Sequence, residues 1–124
     1  MIYGRRSMEL RDLVQAILDG DLLTARQWVA DAHRSALTWE TVPYPKDFSA
    51  RELTVAAGLV ELLARRAGVN PPSWTDGVGA VPDLVVLDPG LDLMPRSYAR
   101  ARSAGPEPLR KRNLLALPDF LHVA

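Results

Sequence analysis

The stretch that most constrains this chain is Ser49-Ala-Arg-Glu52 and the apolar run that follows it to Gly68. A serine followed three residues later by glutamate is a capping box, in which each residue satisfies the other's free amide at a helix start. The spacing predicts a helix over 50–67. Leu53, Ala56, Ala57, Val60, Leu63, Ala64 and Ala67 recur on one face, and Val55, Leu59 and Leu62 widen it. A helix apolar over so much of its circumference has to be covered by neighbours, so it is the expected centre of the core. Arg65-Arg66 complement the negative end of the helix, and Gly68 suits the left-handed residue that ends it.

The residues before it read as a helical hairpin. Ser7 can cap a helix over 8–19, with Leu10, Leu13, Val14, Ile17 and Leu18 as one stripe. Gly20 sits at the position of a left-handed C-terminal residue, and Asp21 can cap a second helix over 22–37. Leu22, Ala25, Trp28, Val29, Ala32 and Ala36 form its apolar face. So short a linker makes the two helices antiparallel neighbours. The stretch 38–48, with Pro43 and Pro45 around Tyr44, is a connector.

After Gly68 the pattern turns irregular. Asn70-Pro-Pro-Ser-Trp74 is extended, with Trp74 folding back as an anchor. Asp88-Pro-Gly90 is a turn. Pro95 fits the first position of a helix to about Ser103, which Gly105-Pro106 stops. A short helix over 107–112 follows. The runs 84–87 and 114–117 are each short enough to be a strand or a buried turn, and as strands they would pair. The expected fold is therefore mainly α. It is a compact multi-helix single domain over 1–124, with an N-terminal hairpin and connector over 1–48. A helical core with a C-terminal clasp spans 49–124, with a minor two-stranded element as an option.

Composition narrows the class. The chain has 124 residues, 48% hydrophobic and 24% charged, which is globular rather than disordered. It contains no cysteine, so disulfides and thiolate metal sites are excluded and a reducing cytoplasm is compatible. No apolar run approaches the ~20 residues of a membrane span. The N-terminal MIYGRRSMELRD has no apolar segment of the signal-peptide kind. A cytoplasmic protein is the expectation.

The residues that carry chemistry are few. His33 and His122 are the whole imidazole supply, and neither has a partner at metal-ligand spacing. There is no nucleophile elbow, zinc-binding HExxH or phosphate-binding P-loop. Gly77-Val-Gly79 lacks the strand-to-helix context of a nucleotide loop. Asp19-Gly-Asp21 is followed by Leu22, Leu23 and Ala25 where calcium ligands would stand, so it reads as cap and turn. Asp83, Asp88 and Asp92 sit at turns or beside prolines, where aspartate is common, and a shared magnesium is the remote reading. No catalytic residue, metal or cofactor is expected.

Net charge is zero but unevenly placed. Residues 75–94 carry Asp76, Asp83, Asp88 and Asp92 without a cation. Residues 96–112 carry Arg96, Arg100, Arg102, Arg110, Lys111 and Arg112 against Glu107 alone. Arg96 and Arg100 share a helix face, while Arg102 points elsewhere. Such a cluster is what phosphate contacts require, but only Tyr98 supplies the aromatic interleaving of a single-strand binder.

Three segments carry a family resemblance: Ala56-Ala-Gly-Leu-Val-Glu-Leu-Leu-Ala64, Pro71-Pro-Ser-Trp-Thr75, and Gly105-Pro-Glu-Pro-Leu-Arg-Lys-Arg-Asn113 with the apolar 114–121. Together, over about 50–121, they resemble an uncharacterised actinobacterial domain. That domain often follows a Cro/C1-type helix-turn-helix in putative antitoxins, next to nucleotidyltransferase-like toxin genes. This chain lacks the helix-turn-helix, as a free-standing version would. The resemblance implies a non-catalytic partner that occupies a cognate toxin by direct binding. The expected contact residues are Trp39, Trp74, Arg96, Tyr98, Arg100, Arg110, Lys111 and Arg112. The alternative is a small nucleic-acid-binding regulator using the same basic segment. The clasp of Leu114, Leu115, Leu117, Phe120 and Leu121 is expected to hold Arg110-Lys-Arg112 as an exposed shoulder.

Overall fold

The computed structural model describes residues 9–35 and 38–122. By their internal contacts these fall into two units, residues 9–35 with 121–122, and residues 38–120. The fold is mainly helical with one two-stranded sheet. No helix among the described residues is long and apolar enough to cross a membrane.

The first unit is the hairpin. Helix α1 spans Leu10–Leu18 and α2 spans Leu22–Arg34. Leu13, Val14, Ala16 and Ile17 are buried on α1, and Ala25, Trp28, Val29 and Ala32 on α2. Gly20 takes φ 76°, as the turn requires. The Asp21 carboxylate accepts from the Thr24 amide at 3.1 Å and from its hydroxyl at 2.6 Å. Those two bonds hold the Asp21 pKa below the usual carboxylate value. The Trp28 indole donates to the Glu9 carbonyl at 3.0 Å, which orients α2 against the start of α1. The expected Ser7 cap lies outside the described residues, as do the last two residues of the expected second helix.

The second unit is built on α3, Ala50–Arg66. Both halves of the capping box form: the Glu52 amide donates to Ser49 Oγ at 3.1 Å, and the Ser49 amide donates to Glu52 Oε1 at 2.7 Å. Every residue from Thr54 to Ala64 is buried. Ala67, expected inside, is exposed because the helix has ended. Two 3₁₀ turns, Trp39–Thr41 and Ser73–Gly77, pack against α3. The first lies within the stretch expected to be an irregular connector.

The rest of the unit is a parallel crossover. Strand β1, Val85–Val86, leads through a 3₁₀ turn at Leu91–Leu93 into α4, Pro95–Ala104, and α5, Glu107–Arg110. Strand β2, Leu114–Leu115, then lies parallel to β1, with Val85 opposite Leu114 and Val86 opposite Leu115. Parallel neighbours need a connection of about a dozen residues or more, and α4 and α5 supply it. Leu91, Ala101 and Leu115 form a small core beneath this crossover, with Leu84, Val86, Tyr98 and Leu117 packed against it.

Residues 114–120 are also tied down by polar contacts. The Leu117 amide donates to Asp88 Oδ2 at 2.8 Å. Arg66, in the last turn of α3, donates to the Phe120 carbonyl at 2.6 Å and the Pro118 carbonyl at 3.2 Å. These bonds hold residues 117–120, beyond β2, in place without regular secondary structure.

Two glycines mark close approaches. A Cβ on Gly58 would stand 2.9 Å from Leu109 Cδ2 and 3.1 Å from Leu114 Cδ1, so α3 passes close to α5 and β2. A Cβ on Gly105 would stand 2.5 Å from the Ala116 carbonyl oxygen and 2.6 Å from that of Ala101. Those obstacles are backbone, which cannot swing aside as a leucine methyl can. Gly105→Ala is expected to destabilise the protein by about 1–3 kcal/mol, the usual range for overpacking. Thermal unfolding followed by circular dichroism checks this, and an unchanged melting temperature would contradict the close approach.

Candidate functional site

The basic segment divides into a buried half and an exposed half. Pro106 and Pro108 fix the start of helix α5, and the chain leaves it after Arg110 as a turn through 111–113 that ends on Asn113 in the left-handed region, φ 66°. Pro108 and Leu109 are buried, and Arg112 stands three and four residues beyond them on the same face. Its side chain therefore goes inward. Only 1% of Arg112 is exposed. The expectation of an exposed shoulder at 110–112 fails at this residue.

What receives Arg112 is Glu61 of α3, itself 2% exposed. Arg112 Nη1 donates to Glu61 Oε1 at 2.7 Å and to the Pro108 carbonyl at 2.8 Å. Nη2 donates to the Thr75 carbonyl at 2.7 Å, and Nε to the Val78 carbonyl at 3.1 Å. A single guanidinium thus joins α3, α5 and the 73–78 loop. Lys111 Nζ reaches Glu61 at 3.0 Å, and Arg65 pairs with both Glu61 and Glu107. Burial pushes the Glu61 carboxyl up, but hydrogen bonds from Arg112 and Lys111 outweigh it and hold the pKa below the usual glutamate value.

The other expected contact residues are scattered by the fold. Trp39 is buried in the first 3₁₀ turn, which removes it from any contact surface. Trp74 is half-buried, with its indole N–H committed to the Val42 carbonyl at 2.8 Å. Its ring meets Tyr44 edge-on at 5.8 Å between centroids. Tyr98 packs onto the small core below α4. Lys111 is exposed along one side but engaged by Glu61. Arg96, Arg100 and Arg110 remain exposed, and among the described residues none of the three makes an ion pair.

Beside them lies a feature that loop composition concealed. Leu93 and Met94, immediately before α4, are 81% and 46% exposed. The Leu91–Leu93 turn buries Leu91 and turns Leu93 outward. The structure thus joins an exposed apolar pair to two unpaired arginines one and two turns along the same helix. Asp83 and Asp92 are exposed, while Asp88 is engaged by the Leu117 amide. No group of three or more potential metal ligands occurs among the described residues.

The Glu61 centre makes two predictions. Removing one member of an isolated buried pair costs about 3–5 kcal/mol, and Lys111 and Arg65 still reach Glu61 when Arg112 is gone, so that range is an upper limit here. Arg112→Met is expected to destabilise the protein by up to about 3–5 kcal/mol in urea unfolding, and Glu61→Gln to cost less in the Arg112→Met background than alone. Strictly additive losses would show that the two do not interact. The second prediction concerns acid. Because the folded pKa of Glu61 is lowered, its contribution is complete above the usual carboxylate range and is lost as pH falls through the folded value. The stability gap between wild type and Glu61→Gln is therefore expected to close on acidification; a gap independent of pH would contradict the assignment.

The chain matches no protein-family model, no curated protein and no solved structure.

Proposed function

We propose that this chain is a non-catalytic protein-interaction module, an antitoxin-like partner that neutralises a bacterial toxin of the nucleotidyltransferase type by direct binding. The observation that carries the interaction reading is the exposed Leu93-Met94 pair beside unpaired Arg96 and Arg100. Arginine and methionine are enriched at interfaces, and here they adjoin an exposed leucine in one mixed apolar and cationic patch. The partner surface that fits offers an apolar recess for Leu93 and carboxylates for the two arginines. The toxin identity rests on the resemblance of 50–121 to the antitoxin-associated domain. A cysteine-free chain suits the reducing cytoplasm in which such a partner would act.

The second reading is nucleic-acid binding. Its electrostatic side is weakened by the burial of Arg112 and the engagement of Lys111 with Glu61. Arg96, Arg100 and Arg110 remain available to it.

Co-expression with the product of the neighbouring gene tests the first reading. The chain is expected to co-purify with that product and relieve its toxicity. The Leu93→Asp, Arg96→Glu double variant is expected to bind at least ~10-fold more weakly, the loss of an interface anchor. A chain that elutes alone, beside a neighbour without toxicity, would sink the reading. Tight DNA or RNA binding that falls steeply with salt would transfer support to the second.

A further inference from the structure

A second cluster of cations lies apart from the Arg96–Arg100 face. At about 100° per residue, Arg102 sits about 200° round α4 from Arg100. It borders a small surface pocket with Arg110, Asn113, Leu84, Leu114 and Leu115. The pocket forms where the end of α4, the end of α5 and the start of β2 come together.

Its electrostatics are one-sided. Arg102 is exposed and makes neither a hydrogen bond nor an ion pair with any described residue. Arg110 donates its Nε–H to the Gly105 carbonyl, which fixes the plane of the guanidinium, and its Nη groups bond to none of the described residues. Glu107, the one carboxylate in this stretch of chain, is occupied by Arg65. Both amide protons of Asn113 are spent on the Val81 and Pro82 carbonyls, at 3.1 and 3.2 Å. Asn113 therefore shapes the wall and donates nothing to the opening. The negative end of α4 opposes an anion here. That opposition is blunted, because the Gly105 amide caps the Ala101 carbonyl and Arg110 covers the carbonyl of Gly105.

Two guanidiniums from different helices, one of them held in orientation, and no carboxylate in the lining suit a compact dianion. Arginine forks match phosphate oxygens in pairs. We propose that this pocket binds a phosphate group, either inorganic phosphate or the terminal group of a phosphate monoester. No aromatic side chain lines the pocket, so a nucleobase would find no stacking face. The ligand is recognised by its phosphate and not by what the phosphate is attached to. The assignment is independent of the partner surface around Leu93.

The test is an NMR titration of the full chain at constant ionic strength, following the Arg102 and Arg110 side-chain Nε–H signals and the amides of 113–115. Three ligands are compared: inorganic phosphate, phosphoserine and adenosine monophosphate. Saturable shifts confined to these signals are expected, with the three affinities within about threefold of one another, because no aromatic face rewards the base. Arg102→Glu is expected to weaken binding at least ~10-fold, as loss of a charge-assisted contact does, while melting stays unchanged. Arg102→Lys is expected to recover part of the loss, since charge returns without the fork. Shifts that grow linearly without saturating, or equal affinity in Arg102→Glu, would overturn the proposal. So would adenosine monophosphate binding more than about tenfold tighter than phosphate, which would place the determinant on the base.

Discussion

The second unit depends on one buried carboxylate. Glu61 sits within the most extensively buried helix among the described residues, and its charge cannot stay there uncompensated. Arg112 answers it and at the same time donates to three backbone carbonyls, those of Thr75, Val78 and Pro108. The 73–78 loop and α5 have little regular structure of their own. They are positioned by sharing one guanidinium. Close approach at Gly58 and Gly105 then sets how near α3, α5 and the 116 backbone lie.

This arrangement sorts the basic segment into roles. Arg112 and Lys111 serve Glu61, and Arg66 holds the carbonyls of 118 and 120. Arg96, Arg100, Arg102 and Arg110 have no carboxylate to serve among the described residues. An unneutralised set of arginines on a chain of zero net charge is the part of the molecule open to outside chemistry. Its two faces differ: one adjoins exposed leucine and methionine, the other a recess without aromatic lining.

The helices were legible because caps and stripes are local signals. Ser49 and Glu52, Gly20 with Asp21, and Pro95 all stand where the expected boundaries need them. The two-residue strands were legible only as apolar runs, since so short a pairing has no periodicity to read. Glu61 and Arg112 were missed because a charged residue reads as solvent-facing one at a time. The signal was present jointly. Glu61 is four residues after Ala57 and three before Ala64, inside the stripe, while Arg112 shares the face of Pro108 and Leu109. Two charges of opposite sign on two apolar faces imply each other. Trp39 was misplaced because the prolines after it suggested an exposed connector, whereas a 3₁₀ turn folds it inward. Leu93-Met94 carried no sequence signal, because exposure there is decided by the turn that buries Leu91.

The pairing of Glu61 with Arg112 also orders events in folding. The two residues are 51 positions apart, so their meeting closes a long loop. Helix α3 can form early from its own cap and propensities, with Glu61 still hydrated. Before residues 108–112 arrive, Glu61 has only the half-exposed Arg65 of its own helix as a partner, so burying it then is uphill. Burial of Glu61 is therefore energetically coupled to the docking of α5, and β2, which pairs with β1, begins two residues beyond Arg112.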